Sequence, residues 1–334
     1  MGKPRTKFKE PHQRSTRTWV DILYPDAAHL AGDGQPATIN LSSLRVQSIN
    51  SFDSPELAPY RTLRYQVEHR RNGIFVAEGQ NSVRRLIDSP LAVVSVVLPE
   101  NLLETYRPLI AGRSLDIPVY VAPKKLLETL TGYPMYQGVM AVGKVPAPIS
   151  LESFLERSPR PLLLAAADGI SNTQNLGALA RNCAAFRASG LIVDPHSCSP
   201  FLRRAVSSSA GTVFSLPIIE LDNLAIALTE LRKHGIRCFG AHPSATDRPI
   251  YKADFRGDCC LVMGGEGPGI SPGILALCDE LVSVPMPPQV DSLNVASASA
   301  VFLYEAVRQM TLLPGAKTTI ASPFPGHANS DKGF

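Results

Sequence analysis

The run LVMGGEGPGISP, residues 261–272, sets one carboxylate, Glu266, among Gly264, Gly265, Gly267 and Gly269. An apolar stretch that breaks into such a loop brings its backbone close to a ligand, because glycine has no side chain to hold the ligand off. Two familiar ligands fail on spacing. The dinucleotide fingerprint G-x-G-x-x-G would need glycine at Ile270 if it began at Gly265, or at Glu266 if it began at Gly264. A Walker loop read from Gly264 to Gly269 puts Ile270 where the phosphate-gripping lysine belongs, and Glu266 would repel a phosphate. The spacing points to a less anionic ligand.

Two further segments carry reactive or hydrogen-bonding side chains. DGISNTQNLGALARN (168–182) follows an apolar run and opens a helix, with Asn175 placed as its N-cap. Leu176, Leu179, Cys183 and Phe186 make the apolar stripe of that helix. Arg181 lies about 200° around the helix from Leu179 and Cys183, so it projects elsewhere. It reads either as a solvated arginine on an exposed face or as one aimed at an anion beside the strand ends. In VPMPPQVDSLNVASASA (284–300), Pro287 and Pro288 block regular structure, and Ser292 and Asn294 sit where the last helix starts. Ser292 suits a helix cap. Both residues also offer donors and acceptors to a ligand at the carboxyl ends of strands, where open α/β sheets bind theirs. His196 and His242 follow expected strands and would be rival bases, but they read as ordinary loop histidines.

These loops need a frame, and two α/β series supply one. Residues 1–50 are basic, polar and turn-rich, and read as a flexible extension. From 51 to 147 a helix over Glu56 to Arg71 precedes strands at Ile74–Val76, Ala92–Leu98, Ile117–Ala122 and Gly138–Val145. Helical patterns such as NSVRRLI and KKLLETL separate them, which argues for a small α/β sandwich. Residues 148–160, within the proline-bounded PAPISLESFLERSPRP, form a linker carrying a short helix. A second α/β series over 161–313 has strands at LLLAAAD, GLIVD, TVFSLPI, IRCFGAH, CCLVMG and LVSVP. Ala296, Ala300, Leu303, Val307 and Met310 stripe its final helix at helical spacing. Residues 314–334 read as a flexible tail.

Composition narrows the class. A chain of 334 residues with 44% hydrophobic and 19% charged residues is globular and long enough for two units. No apolar run reaches the roughly 18 residues of a membrane span. The N-terminal stretch lacks the apolar core of a secretory signal; its basic character allows a transit peptide, though it shows no clear amphipathic pattern. Cys183, Cys198, Cys238, Cys259, Cys260 and Cys278 form no C-x-x-C and have no histidine at zinc spacing. They read as reduced core thiols of a cytoplasmic protein that needs no metal, with Cys259 and Cys260 facing opposite sides of a strand. The net charge of +4 is mild, but Lys3, Arg5, Lys7, Lys9, Arg14 and Arg17 crowd the N-terminus. That arm is either a solvated tail or a contact for RNA phosphates.

Together the three loops resemble one family. N-x-G-A-x-x-R (Asn175 to Arg181), V-M-G-G-E-G-P-G (Val262 to Gly269) and V-P-M followed by S-L-N-V (Val284 to Val295) are similar, in order and spacing, to the three motifs of the SpoU group of RNA ribose methyltransferases. IFVAEG and YQGVMAVG in the first series resemble the small RNA-binding domain often joined to such enzymes. The resemblance implies a mostly parallel C-terminal α/β domain with a deep trefoil knot, a homodimer, and S-adenosylmethionine as cofactor. It implies methylation of a ribose 2′-hydroxyl in structured RNA, with rRNA favoured over tRNA. Arg181 would be the main catalytic residue, and Asn175, Glu266, Ser292 and Asn294 would arrange the site. Gly264, Val284 and Leu293 would contact the cofactor's adenosine. Tyr136 stands where many relatives have histidine, and Ala296 where many have serine, which bears on target choice more than on activity. A catalytically silent RNA-binding protein is the rival reading, and such a relative is expected to lose Arg181, Glu266, Ser292 and Asn294. A nicotinamide enzyme is disfavoured by the failed glycine spacing.

Overall fold

The structure is a computed structural model that describes residues 43–63, 66–131 and 138–311. The basic arm from Lys3 to Arg17, Tyr136 with Gln137, and the tail from residue 314 lie outside the described residues.

The apolar runs of the first series form five strands: β1 (Val46–Ser48), β2 (Ile74–Glu78), β3 (Val93–Leu98), β4 (Val119–Val121) and β5 (Met140–Lys144). Their order is β1-β4-β3-β5-β2, with β5 antiparallel to both neighbours and the other pairs parallel. The sheet begins at Val46, ahead of the boundary expected at residue 51. The single helix expected over Glu56 to Arg71 is broken. A 3-10 turn at Pro55–Leu57 leads into α1 (Ala58–Arg61), and α2 (Gln66–Arg71) is separate. The Thr62 hydroxyl donates to the Ala58 carbonyl at 2.8 Å, a local bond that competes with the continuing helical ladder. Helices α3 (Gln80–Asp88), α4 (Glu100–Arg113) and α5 (Lys124–Thr131) complete this series, and α6 (Leu151–Arg157) follows it.

The second series gives β6 (Leu163–Asp168), α7 (Thr173–Ala185), β7 (Gly190–Val193), α8 (Arg203–Ser208), β8 (Ile218–Glu220), α9 (Leu224–Lys233), β9 (Arg237–Ala241), β10 (Cys259–Gly264), α10 (Pro272–Leu275), β11 (Glu280–Val282) and α11 (Val295–Thr311). The sheet is all parallel, in the order β11-β9-β10-β6-β7-β8. Both faces of its centre are covered, as the unbroken apolar runs require. Leu163, Ala165 and Ala167 enter one core and Leu164 and Ala166 the other; Cys259 and Cys260 divide the same way. All six cysteines are free thiols. Among the described residues, no helix is long and apolar enough to cross a membrane.

Two expectations are corrected. TVFSLPI is a 3-10 turn at Thr212–Ser215 before β8, not one strand. The Thr212 and Ser215 hydroxyls bond back to the Ser209 and Thr212 carbonyls, and Phe214 turns away to stack on Phe75 with ring centroids 5.1 Å apart. In α11 the buried positions are Val295, Ser299, Phe302, Leu303 and Ala306. Of the expected stripe only Leu303 is fully buried, while Val307 and Met310 pack at the margin of the core.

The two sheets share one core. The cluster that holds Phe75 and Val96 of the first also holds Leu163, Leu261 and Phe302 of the second. The Arg203 guanidinium meets Glu78 at 2.5 Å, and Arg85 donates to the Ala210 carbonyl at 2.6 Å. Those bonds join α8 and the residues just after it to β2 and α3.

Candidate functional site

In a parallel sheet the carboxyl ends of all strands face one edge, and register shows which loops meet there. Gly264 pairs with Asp168, Val262 with Gly240, and Val282 with Ala241. The loops after β6, β9, β10 and β11 therefore emerge side by side. After β6 the chain runs outward through β7 and β8, and then returns to build β9, β10 and β11 on the other flank. The gap between β6 and β10 is thus a topological switch point, where open α/β sheets bind ligands.

The glycine loop fills that gap with backbone. A Cβ on Gly264 would come within 2.1 Å of the Gly269 carbonyl carbon, and one on Gly265 within 2.2 Å of the Gly169 carbonyl oxygen. Neither position admits a side chain. Between them the chain turns tightly, with the Gly269 N–H donating to the Gly265 carbonyl at 3.1 Å and positive φ at Gly267 (87°) and Gly269 (69°). A Cβ on Gly267 would meet nothing within 4 Å. The loop is packed on its inner side and open at its tip.

On this frame three side chains from three loops converge. The Asn175 amide donates to Glu266 Oε1 at 2.5 Å. The Asn294 amide donates to the same Oε1 at 3.0 Å and to Asn175 Oδ1 at 3.1 Å. Glu266 is exposed and Asn175 is buried at 8% exposure, so the carboxylate caps a buried amide at the mouth of the site. Asn294 also starts α11, its Oδ1 accepting from the Ala296 N–H at 2.9 Å.

The helix that carries Asn175 starts earlier than its sequence suggests. Asn172, not Asn175, is the N-cap of α7, accepting from the Gln174 and Asn175 N–H groups at 2.9 and 3.3 Å. Asn175 therefore lies in the first turn, which frees its amide for Glu266. Two residues on, Gly177 lets α8 cross closely, since a Cβ there would meet the Ser208 hydroxyl at 2.2 Å and the Ala205 carbonyl at 2.3 Å. Arg181 follows on the exposed face, and its guanidinium has no hydrogen bond or ion pair among the described residues. Asn182, beside it, donates to the Ala296 carbonyl and the Ser299 hydroxyl at 2.7 and 2.9 Å, tying α7 to α11.

The other expected site residues are not drawn into this cluster by any direct bond among the described residues. Ser292 is exposed and does not cap α11, a role taken by Asn294. Leu293 is an exposed apolar side chain at 38%, and Val284 packs partly against the main core. His196 is exposed, and the His242 ring accepts from the Ser244 N–H at 3.3 Å.

Two carboxylates escape the sequence reading because they lie at strand ends and look like turn residues. Asp194, buried after β7, accepts from the Gly169 and Ser197 N–H groups at 3.0 and 2.9 Å and so braces the loop after β6. Asp168, also buried, accepts the Ser271 N–H on Oδ2 at 2.6 Å. Nearby, burial pushes the Cys278 thiol up to about 12, with the charges of Cys238, Asp279 and Asp168 adding to it. That thiol is not a nucleophile at neutral pH.

Comparison with known proteins gives this arrangement a context. Residues 163–304 match the model of the SpoU rRNA Methylase family. The 23S rRNA (guanosine-2′-O-)-methyltransferase RlmB of Ralstonia nicotianae is 36% identical over 206 residues, covering 61% of this chain and 82% of that protein. RlmB of Shewanella oneidensis is 35% identical over 211 residues, covering 62% and 85%. Among solved structures, the SpoU methyltransferase AviRb from Streptomyces viridochromogenes in complex with AdoMet superposes with a TM-score of 0.65 at 26% identity, covering 77% of this chain and 98% of that one. An AdoMet-bound rRNA methyltransferase from Sinorhizobium meliloti has a TM-score of 0.67 at 22% identity over 81% of this chain and 100% of that one, which speaks to the fold.

Proposed function

The chain belongs to the SpoU rRNA methylase family, and from that premise we propose that it methylates the ribose 2′-hydroxyl of a guanosine in 23S rRNA with S-adenosylmethionine as cofactor. The observation that carries this reading is the hydrogen-bonded set Asn175, Glu266 and Asn294, which joins the loops after β6, β10 and β11 at the switch point. Against a silent RNA-binding protein stands the presence of Arg181, Glu266, Ser292 and Asn294, which such a relative is expected to lose.

The residues present fit the cofactor. A loop that offers backbone and one carboxylate suits a neutral adenosine better than a phosphate, and Gly264, Val284 and Leu293 would line it with peptide and apolar surface. When bound, S-adenosylmethionine supplies an electrophilic methyl group on a good, cationic leaving group. The chain must then hold the ribose oxygen in line and stabilise the negative charge that grows on it. Arg181 serves that second need. A guanidinium carries donors and no acceptor, so Arg181 acts as an electrostatic clamp and not as the base. It stabilises the developing 2′-oxyanion while gripping a neighbouring phosphate with its planar fork. Asn175, Glu266, Ser292 and Asn294 orient the RNA backbone around it.

The coarser architecture follows the same family. The first sheet and its helices, from Val46 to residue 147, act as the RNA-binding domain, residues 148–160 as the linker and residues 161–313 as the methyltransferase domain. A trefoil knot is part of this reading on the family likeness alone; near its expected place Ser283 donates its N–H to the Arg248 carbonyl, accepts from the Ile250 N–H and donates its hydroxyl to the Ala245 carbonyl at 2.8–3.0 Å. These bonds seat the segment after β11 against the loop after β9. A homodimer is supported by Tyr304, 58% exposed on α11, and by Val301 on the same helix. The enzyme works in the cytoplasm, where its substrate and its reduced thiols belong.

The test incubates the full chain with methyl-labelled S-adenosylmethionine and, separately, undermodified 23S rRNA and tRNA. Label in the rRNA is the expected result. Label in tRNA alone would move the target class, and failure to bind the cofactor would sink the reading.

A further inference from the structure

We propose that Asp168 is a positioning residue that clips the glycine loop shut from both ends. The proposal rests on the reading of that loop as the cofactor seat, which it deepens.

Asp168 is the last residue of β6 and is buried, at 7% exposure. Its backbone carbonyl accepts the Gly265 N–H at 2.9 Å, where the loop leaves β10. Its carboxylate accepts the Ser271 N–H at 2.6 Å, where the loop ends and α10 begins. One residue thus fixes both feet of a seven-residue strap, residues 265–271. The first foot is a main-chain bond that any residue type would make. The second exists because a side-chain oxygen stands at this reach.

The far leg is also held by Ile270, buried in the core, and by the Gly269 N–H bond to the Gly265 carbonyl, but Asp168 is what ties its end at Ser271 back to β6. Gly264 and Gly265 have no side chains to anchor the strap, and Gly267 and Gly269 take left-handed backbone that glycine adopts without strain. Glu266 rides on this strap, so the distance from its carboxylate to Asn175 and Asn294 depends on where the strap lies. Fixing the strap before a ligand arrives removes an ordering cost from binding. Asp168 therefore acts on affinity for the cofactor and, through Glu266, on the alignment of the polar set. It acts by accepting a hydrogen bond, not by its charge.

Ser271 supplies the donor, and its side chain makes no cap bond. Its φ of −63° admits a proline, so Ser271→Pro deletes the N–H, while the ring carbon that replaces the hydrogen crowds the Asp168 oxygen, a clash that the Asp168→Ala double variant relieves. The experiment measures S-adenosylmethionine affinity by calorimetry for the wild type, Asp168→Asn, Asp168→Ala, Ser271→Pro and the Asp168→Ala/Ser271→Pro double variant. It also follows hydrogen exchange of peptides covering 265–276 in the cofactor-free protein. Asp168→Ala and Ser271→Pro should each weaken binding about tenfold or more, because the bond is lost and its buried partner is left unsatisfied. The double variant should be no weaker than the weaker single, since both delete one bond. Asp168→Asn, whose amide oxygen still accepts, should stay within about threefold of wild type. Exchange over 265–276 should quicken in Asp168→Ala while peptides from β6 and β10 keep their protection.

Additive losses in the double variant, or Asp168→Asn as weak as Asp168→Ala, would overturn the clip. So would unchanged exchange in Asp168→Ala. If the wild type bound no S-adenosylmethionine, the proposed function would fall, and the exchange data alone would decide the role of Asp168.

Discussion

Replacing single glycines with alanine around the loop after β10 should give three different answers at three positions a few residues apart. In Gly264→Ala the new methyl would lie 2.1 Å from the Gly269 carbonyl carbon, 2.2 Å from the Ile270 nitrogen and 2.5 Å from the Gly269 oxygen. These are backbone atoms of a leg pinned by the Gly269 N–H bond to Gly265 and the Ser271 N–H bond to Asp168. Relief needs the better part of an ångström of movement, at the expense of one of those bonds. Overpacking of about 1–3 kcal/mol and a lost hydrogen bond of about 0.5–1.5 kcal/mol give a destabilisation of roughly 2–4 kcal/mol. At about 2–4 °C per kcal/mol for a unit of this size, the melting temperature should fall by roughly 5–15 °C. Gly267→Ala meets nothing within 4 Å but must adopt a φ of 87°, so it should lose only about 1–2 kcal/mol. Gly273→Ala has open space and lies in α10 with ordinary φ, so it should be neutral or gain about 0.4–1 kcal/mol. Thermal melts of the three variants, with and without S-adenosylmethionine, read all of this directly. Gly264→Ala melting and binding like wild type would refute the close-approach argument. Gly273→Ala as damaging as Gly264→Ala would refute it too, by showing that any change in the loop suffices.

Other outcomes follow from single residues. Arg181→Lys should lose about a hundredfold or more in kcat with cofactor affinity retained, since an ammonium cannot reproduce a bidentate clamp; near-normal turnover would mean that Arg181 works as a base. Asn175→Ala and Glu266→Ala should couple by about 0.5–3 kcal/mol in a denaturant double-mutant cycle, and strict additivity would contradict the bond drawn between them. Burial pushes the Cys183 and Cys259 thiols up to about 12 from an ordinary value of 9.0, so the folded state holds those protons more tightly than the unfolded one. Their contribution to stability is complete below about pH 9 and is lost as pH rises toward 12, so urea midpoints should fall above pH 9. Cys183→Ala should flatten part of that fall, and an unchanged slope would contradict the burial argument.

Much of the frame is legible in the sequence, because unbroken apolar runs such as LLLAAAD and CCLVMG suit only strands covered on both faces. Helix starts are less legible. Asn172 and Asn175 are both good caps, and what separates them is Glu266, 91 residues away, which takes the second amide. The 3-10 turn at Thr212–Ser215 was hidden for a similar reason: its apolar residues serve a contact with Phe75 of the other sheet and not a strand ladder. Asn175, Glu266 and Asn294, grouped in the sequence only by the resemblance to one family, are joined by direct hydrogen bonds. The carboxylates that brace them, Asp168 and Asp194, have partners set by strand order, which no local pattern records.

The central claim is that this site puts a methyl group on a ribose oxygen. Undermodified 23S rRNA, treated with the enzyme and methyl-labelled S-adenosylmethionine, digested to nucleosides and resolved by mass spectrometry, tests it most directly. The account predicts label in 2′-O-methylguanosine with the wild type and a loss of about a hundredfold or more with Arg181→Ala. Label on a base instead of a ribose, or full 2′-O-methylation by the Arg181→Ala protein, would contradict it.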